Sequence, residues 1–217
     1  MPCPEPFFSA PGKHEFQGRS YSVAWSLPQP RIAYLENLLT ADECRQLREY
    51  ALEEIPATHQ PVSPDSGEES LGYTGDGMYA DEARHPLCGD IRRRLAALMQ
   101  WPSNRCEVLN IHRYSPGNGF HAHHDWFDED QCAAGDYQTH EYGNRVASVI
   151  LYLNEPEEGG STSFELGLDV APKQGAGLFF AYPGRDPRIL HAGSTVARGE
   201  KWIANLWFRE RNPRDGK

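Results

Sequence analysis

The chain has no excess of basic residues. Its 21 Lys and Arg stand against 31 Asp and Glu, a formal net charge of −10. A protein whose main partner is a phosphate backbone or an anionic membrane needs a basic face, so neither nucleic acid nor membrane is expected as a partner. No stretch reaches the roughly 18 consecutive apolar residues of a membrane span. The opening "MPCPEPFFSAPGKHEF" lacks a basic segment leading into an apolar one, as a secretory signal would have. Cysteines are few. Cys3, Cys44, Cys88, Cys106 and Cys132 are odd in number, widely spaced and without a CxxC pair. That argues against a disulfide framework or a structural zinc site and fits a reducing compartment, so a cytoplasmic location is expected. No internal repeat is visible, and nothing in the pattern sets the oligomeric state.

Apolar residues are not lacking. They make up 39% of the 217 residues, with 11% aromatic, enough for the core of one domain. "PRIAYLENLLTADECRQLREYALEEI" reads as a strand over 31–35 and a helix from Ala41. Thr40 and Glu43 have the spacing of a capping box. Cys44, Leu47, Ala51 and Ile55 recur at helical spacing. A second helix is expected over 85–99, with Pro86 in its first turn and Leu87, Ile91, Leu95 and Leu98 as its buried stripe. Arg92, Arg93 and Arg94 read as its solvated edge. Between the helices, 61–81 reads as a polar surface loop containing at most a short strand.

After "WPSN" the character changes. "CEVLNIHRY", "RVASVILYL", "AGLFFAYP" and "KWIANLWFRE" are β-branched and aromatic, and Gly and Pro separate them. Helices first and many short strands later predict a mainly β protein with N-terminal helices, built as an antiparallel double sheet or jelly roll. A single domain over 1–217 is expected: an extended lead-in over 1–30, a helical support region over 31–105 and a core over 106–211.

The stretch "RYSPGNGFHAHHDWF" places three histidines and an aspartate within five residues. In a strand, residues i and i+2 face the same way. His123 and Asp125 can then present an imidazole and a carboxylate to one point, with His124 turned away. His191, at the end of the predicted strand in "RILHAGSTV", is the candidate third ligand. Two histidines and a carboxylate on one side of a metal suit a non-haem Fe(II) oxygenase. They also suit a hydrolytic zinc site. His121 and His124 read as bystanders, and His112 and His140 have no spacing argument. Lys201 follows across the turn "ARGE", on a returning strand near the same pocket. A buried lysine needs an anion or loses its proton, and a dicarboxylate co-substrate would supply one.

Taken in order, Tyr114-x-x-Gly117, His123-x-Asp125, "EEGGSTSF", His191 and "GEKWIANLWFRE" resemble the prolyl 4-hydroxylase branch of the Fe(II)- and 2-oxoglutarate-dependent dioxygenases. The resemblance spans about 108–210, and more loosely "PRIAYLENLLTADEC". It implies a double-stranded β-helix core and a procollagen-proline 4-dioxygenase-like activity. It implies His123, Asp125 and His191 as iron ligands, O2 as oxidant and ascorbate as reductant. Lys201 and Tyr114 would hold the distal carboxylate of 2-oxoglutarate. Ser148, where the family often has threonine, would assist them. Trp207 matches a tryptophan lining the site. A carboxylate at 125, where halogenases of the superfamily have a small residue, favours hydroxylation. Lysine at 201 separates the chain from branches that use arginine.

One departure bears on substrate. Peptide-binding members often carry Arg-x-Ser followed by Gly and Trp, and here that region reads "HQPVSPDSGEESLGYTGDG". A peptidyl proline, a free amino acid and a small natural product therefore all stay open as substrates. A zinc hydrolase and a non-catalytic jelly roll stay open as other classes. The segment 126–144 is expected to form a lid, with Trp126, Tyr142 and Trp207 lining the entrance. Its acidic run, Asp128 to Asp130, would favour a neutral or basic substrate.

Overall fold

Pairing between strands is antiparallel throughout the computed structural model, which describes residues 3–7, 10–55, 74–128 and 142–212. In chain order the elements are β1 (Gly12–Phe16), β2 (Arg19–Pro28), β3 (Arg31–Glu36), α1 (Ala41–Glu54), β4 (Asp76–Tyr79), α2 (Pro86–Leu98), β5 (Asn110–Tyr114) and β6 (Phe120–His123). They continue as β7 (Arg145–Tyr152), β8 (Glu158–Gly159), β9 (Thr162–Phe164), β10 (Asp169–Val170), β11 (Gly177–Ala181), β12 (His191–Gly193), β13 (Val196–Arg198) and β14 (Lys201–Arg209). The major sheet runs β1-β2-β3-β11-β7-β14-β5-β4, and a smaller sheet runs β10-β9-β12-β6. Strands β8 and β13 form a separate pair. This is the expected mainly β architecture with a jelly-roll core.

Period-2 alternation splits the major sheet into two faces. Ala33 and Leu35, Val149 and Leu151, Phe179 and Ala181, and Ala204, Leu206 and Phe208 pack with the buried residues of both helices. From α1 these include Cys44, Leu47 and Ala51, and from α2 Ile91, Leu95 and Leu98. The alternate residues Ile32 and Tyr34, Ile150 and Tyr152, Leu178 and Phe180, and Ile203 form a second cluster on the opposite face. Burying each large aliphatic side chain contributes about 1.5–3 kcal/mol.

The first helix begins as its sequence suggests. Thr40 Oγ1 accepts from Glu43 N at 3.1 Å, and a Glu43 carboxylate oxygen accepts from Thr40 N at 2.8 Å. Such a cap is worth about 1 kcal/mol. Glu43 also ties distant parts together, accepting from Arg19 at 3.0 and 3.1 Å and from Arg94 at 2.9 and 3.1 Å.

Two expectations are corrected. The arginine run is not a solvated edge. Only Arg93 is exposed, beside Asp90. Arg92 donates to Glu82 at 2.5 and 2.7 Å and to the Ser103 carbonyl at 2.6 Å. Arg94 bonds Glu43 and the Leu38 carbonyl. At 100° per residue, Arg92 and Arg94 flank the Ile91–Leu95 stripe, whereas Arg93 faces away from it. Nor is the stretch before residue 31 only a lead-in. Gln17 and Gly18, both at positive φ (51° and 73°), turn β1 into β2. Tyr21 and Val23 of β2 are buried against the helix-side cluster. With β4, these strands give the major sheet a part outside 106–211. Cys3, Cys44, Cys88 and Cys106 are free thiols, and Cys132 lies outside the described residues.

Candidate active site

Two sheet faces bound one cavity of about 530 Å³. The smaller sheet brings His123 and His191 together, because β12 pairs with β6 and the two residues are direct cross-strand partners. His191 thus begins a strand rather than ending one. Asp125 lies beyond the end of β6, so the same-face argument from a continuous strand does not hold there. The bend after β6 places it instead. Asn144 clamps that segment, accepting from Phe127 N at 2.9 Å and donating to Phe127 O at 2.7 Å.

The donor atoms of His123, Asp125 and His191 lie within 4.8 Å of one another. Nε2 of His123 is 3.6 Å from Oδ1 of Asp125, and Nε2 of His191 is 3.9 Å from Oδ2. Each ring's Nδ1 meets the carbonyl two residues back, at 2.8 Å for His123 and 3.1 Å for His191. Donation from Nδ1 leaves both Nε2 lone pairs facing Asp125, the tautomer a metal requires. Burial pushes His191 down to about 4 against the pull of Asp125, so its imidazole is neutral. Burial alone would raise Asp125, but His191, His123 and Arg145 hold its carboxyl well below the usual range. Neutral imidazoles beside an ionised carboxylate fit a divalent first-row metal. His121 is exposed. His124 stacks on Trp126 with ring centroids 3.9 Å apart and lies 3.4 Å from the Pro187 carbonyl.

Lys201 begins β14 directly opposite Tyr114 of β5 and is 3% exposed. Its ammonium sits 5.5 Å from the Tyr114 ring centroid and 6.0 Å from that of Tyr152. Burial pushes Lys201 down to about 8, with Asp169 opposing at longer range. The glycine pair of "EEGGSTSF" has a steric reason beside it. Gly160 has a φ of +72°, and a Cβ there would stand 3.2 Å from Cδ of Lys201.

Residues 109–209 match the family model described as the 2OG-Fe(II) oxygenase superfamily. Prolyl 4-hydroxylase 1 of Arabidopsis thaliana is 31% identical over 210 residues, 87% of this chain and 71% of that protein. The chain belongs to the prolyl 4-hydroxylase family of 2OG-Fe(II) oxygenases. A putative prolyl 4-hydroxylase of Acanthamoeba polyphaga mimivirus is also 31% identical, over 85% of this chain and 76% of its own length. The 2OG complex of the viral collagen prolyl hydroxylase from Paramecium Bursaria Chlorella virus-1 superposes with a TM-score of 0.64 at 25% identity, covering 82% of this chain and 95% of that one. The oxygenase therefore uses Fe(II), 2-oxoglutarate and O2.

The structure of the oxygenase moves one expected residue. Ser148 is not beside Lys201. It lies opposite Trp207 on β14, six residues from Lys201, roughly 20 Å along an extended strand. Its hydroxyl donates to Asp125 instead. A hydroxyl joined to the lysine end is that of Thr162 of β9, which is 2% exposed, lines the cavity and accepts at 3.0 Å from Oη of Tyr152, whose ring lies 6.0 Å from the Lys201 ammonium. Thr162 stands inside "EEGGSTSF", so the motif contained the signal, but only the pairing of β9 with β12 shows where it points.

Three further cavity residues of the oxygenase were not expected. His112, between Asn110 and Tyr114 on the cavity face of β5, is pushed down to about 4 by burial. Arg145 and Arg209 share Glu107, at 2.8 and 2.6 Å. The Arg145 guanidinium lies 3.7 Å over the Trp207 ring. Trp126 and Trp207 line the cavity. Tyr142 is not among its lining residues. Its ring is instead 5.9 Å from the Arg209 guanidinium, and its carbonyl accepts from Arg211 N. Most of the expected lid, 129–141, and most of the 61–81 loop lie outside the described residues.

Proposed function

We propose that this protein hydroxylates an unactivated C–H bond of a prolyl residue within a peptide or protein. His123, Asp125 and His191 would hold the Fe(II), and Lys201 with Tyr114 and Thr162 would hold the distal carboxylate of 2-oxoglutarate. One observation carries the reading. A His–Asp–His cluster and a buried lysine face the same cavity from opposed sheets. That arrangement suits a dicarboxylate bridging the two ends.

Fe(II), when bound, couples O2 to the oxidative decarboxylation of 2-oxoglutarate, giving succinate, CO2 and a hydroxylated product. The chain's own residues then bind, orient and shield. Asp125 and the two Nε2 atoms lie within 4.8 Å of one another, so they would hold one metal ion as two imidazoles and a carboxylate. Lys201 offers a charge-assisted hydrogen bond in an aromatic seat of Tyr114 and Tyr152 rings. Ile150 and Ile203 line the wall between and keep it apolar, which strengthens that ion pair.

The substrate reading is supported by the relatives, whose names specify prolyl 4-hydroxylases, and by the cavity lining. There Tyr79 and Trp126 offer aromatic surface, with Trp207 behind them under the Arg145 guanidinium, which suits a pyrrolidine ring. Asn110 and Asn205, direct cross-strand partners that both line the cavity, offer amides to a peptide backbone. The test is succinate release from 2-oxoglutarate with Fe(II), ascorbate and O2, run with proline-containing peptides and with free proline. Mass spectrometry of the peptide should show one added oxygen on proline. Oxygen added to free proline alone would replace a peptidyl substrate with a free amino acid.

A further inference from the structure

Ser148 sits in the middle of β7, between Phe180 of β11 and Trp207 of β14. Its hydroxyl donates to Oδ2 of Asp125 and lies 3.1 Å from Oη of Tyr182. A serine hydroxyl has one proton to give. Because Asp125 takes it, the second contact has one polarity: Tyr182 donates and Ser148 accepts. The result is an ordered chain from phenol to hydroxyl to carboxylate. Tyr182 suits the donor end, because burial keeps its phenol protonated far above the ordinary range. All three groups are buried, at 4%, 1% and 8% exposure. The Trp126 ring, 5.4 Å from that of Tyr182, covers the outer end.

A carboxylate can meet a metal with either oxygen or with both. Ser148 engages Oδ2, which lies 3.9 Å from Nε2 of His191, while Oδ1 lies 3.6 Å from Nε2 of His123, so each oxygen faces one imidazole. The hydrogen-bonded chain therefore holds the carboxylate plane and its orientation toward the two imidazoles. Arg145 adds to the same restraint, with Nη1 3.5 Å from the Asp125 carbonyl. The strand seat matters as much as the bond. Cross-strand partners on both sides leave Ser148 little freedom to turn elsewhere.

We infer that Tyr182 and Ser148 are positioning residues for the metal: they fix the orientation of the Asp125 carboxylate and so set metal affinity without touching metal, 2-oxoglutarate or substrate. The inference rests on the reading of His123, Asp125 and His191 as ligands. Removing an outer partner of a ligand typically costs about 10–100-fold in metal affinity.

The test is a Mn(II) titration of the chelator-stripped full chain, followed by calorimetry and by the melting temperature with and without metal. Ser148→Ala should weaken Mn(II) binding by about 10–100-fold, with the metal-free melting temperature little changed. Ser148→Thr should bind within a few-fold of the parent. Ser148→Val, matched to threonine in size but lacking the hydroxyl, should behave like Ser148→Ala. Tyr182→Phe should give a smaller loss, because Ser148 still reaches Asp125. The visible spectrum of the Co(II) form should change in the Ala and Val variants and not in Thr. Parent-like Mn(II) affinity in Ser148→Ala and Ser148→Val overturns the inference. So does equal weakening in Thr and Val, which would trace the effect to volume. Failure of the ligand assignment looks different: the parent chain would bind no Mn(II), or His123→Ala would bind it unchanged.

Discussion

The two faces of the major sheet share their strands and differ in nearly everything else. Along β14, Trp202, Ala204, Leu206 and Phe208 turn toward the helices and join an almost wholly apolar cluster. Lys201, Ile203, Asn205, Trp207 and Arg209 turn toward the cavity. One face is closed by α1 and α2 and stabilises the fold by burial. The other, with the smaller sheet across the cavity, keeps two arginines, a lysine and an aspartate away from bulk water. That carries a desolvation cost, and the cost has a chemical use. It is burial that drives Lys201 down to about 8 and His191 down to about 4. A rigid apolar face behind the strands lets the front face hold groups in unfavourable surroundings.

Substitutions on the two faces should therefore fail in different ways. The largest effect is expected from Asp125→Ala on the cavity face. 2-Oxoglutarate turnover should fall to background and Mn(II) binding should be lost, while the metal-free chain melts near the parent temperature. Substantial succinate formation by that variant would remove Asp125 from the ligand set. Leu206→Ala, one residue from cavity-facing Trp207, should do the reverse. It should cost about 2–5 kcal/mol in a denaturant melt and leave the 2-oxoglutarate KM near that of the parent. A large KM change with unchanged stability would show that the two faces are not separable.

Glu43 sharpens the comparison from the helix side. Breaking a buried ion pair costs about 3–5 kcal/mol, and Glu43 is partly screened, so Glu43→Gln should lose somewhat less. The arginine bonds hold its carboxyl below the ordinary value even though burial opposes them. Its contribution is therefore present above about pH 4.3, the unfolded value, and is lost as pH falls through the folded one. The stability gap between parent and Glu43→Gln should narrow in acid, and a gap that is constant down to pH 3 would remove the charge from the explanation.

Smaller effects should come from the lysine end. Lys201→Ala should raise the 2-oxoglutarate requirement by about 10–100-fold, at roughly 1.4 kcal/mol per tenfold. In the parent, Lys201 is protonated below about 8. The KM for 2-oxoglutarate should therefore be flat below that pH and rise above it as the cation is lost. A flat profile to pH 9.5 would place the carboxylate elsewhere. Thr162→Val should raise the same KM by a few-fold, whereas Ser148→Val should act on metal binding instead.

Much of this was legible along the chain. The capping box at Thr40, the stripes on both helices and the four main strands rest on local periodicity, and the structure reproduces them. His123, Asp125, His191 and Lys201 were visible because their order and residue types are distinctive. The hairpin of β1 and β2 was not visible, since its turn is carried by Gln17 and Gly18, a weak signal, and its inward residues are few. Arg92 and Arg94 were misread because three consecutive arginines look alike until the helix has something to pack against.

What the sequence determined by itself was periodicity and chemical type: which residues alternate, which can ligate, which can pair with an anion. Tertiary structure alone decided who meets whom. Ser148 and Thr162 both carry hydroxyls near the site, and strand spacing assigns each a face. It cannot say that Ser148 reaches Asp125, 23 residues away, while Thr162 meets Tyr152 near the lysine. Those partners depend on the register between strands distant in the chain. Register is set by packing across the whole sheet, because a one-residue slip would turn each strand's buried set to the wrong face.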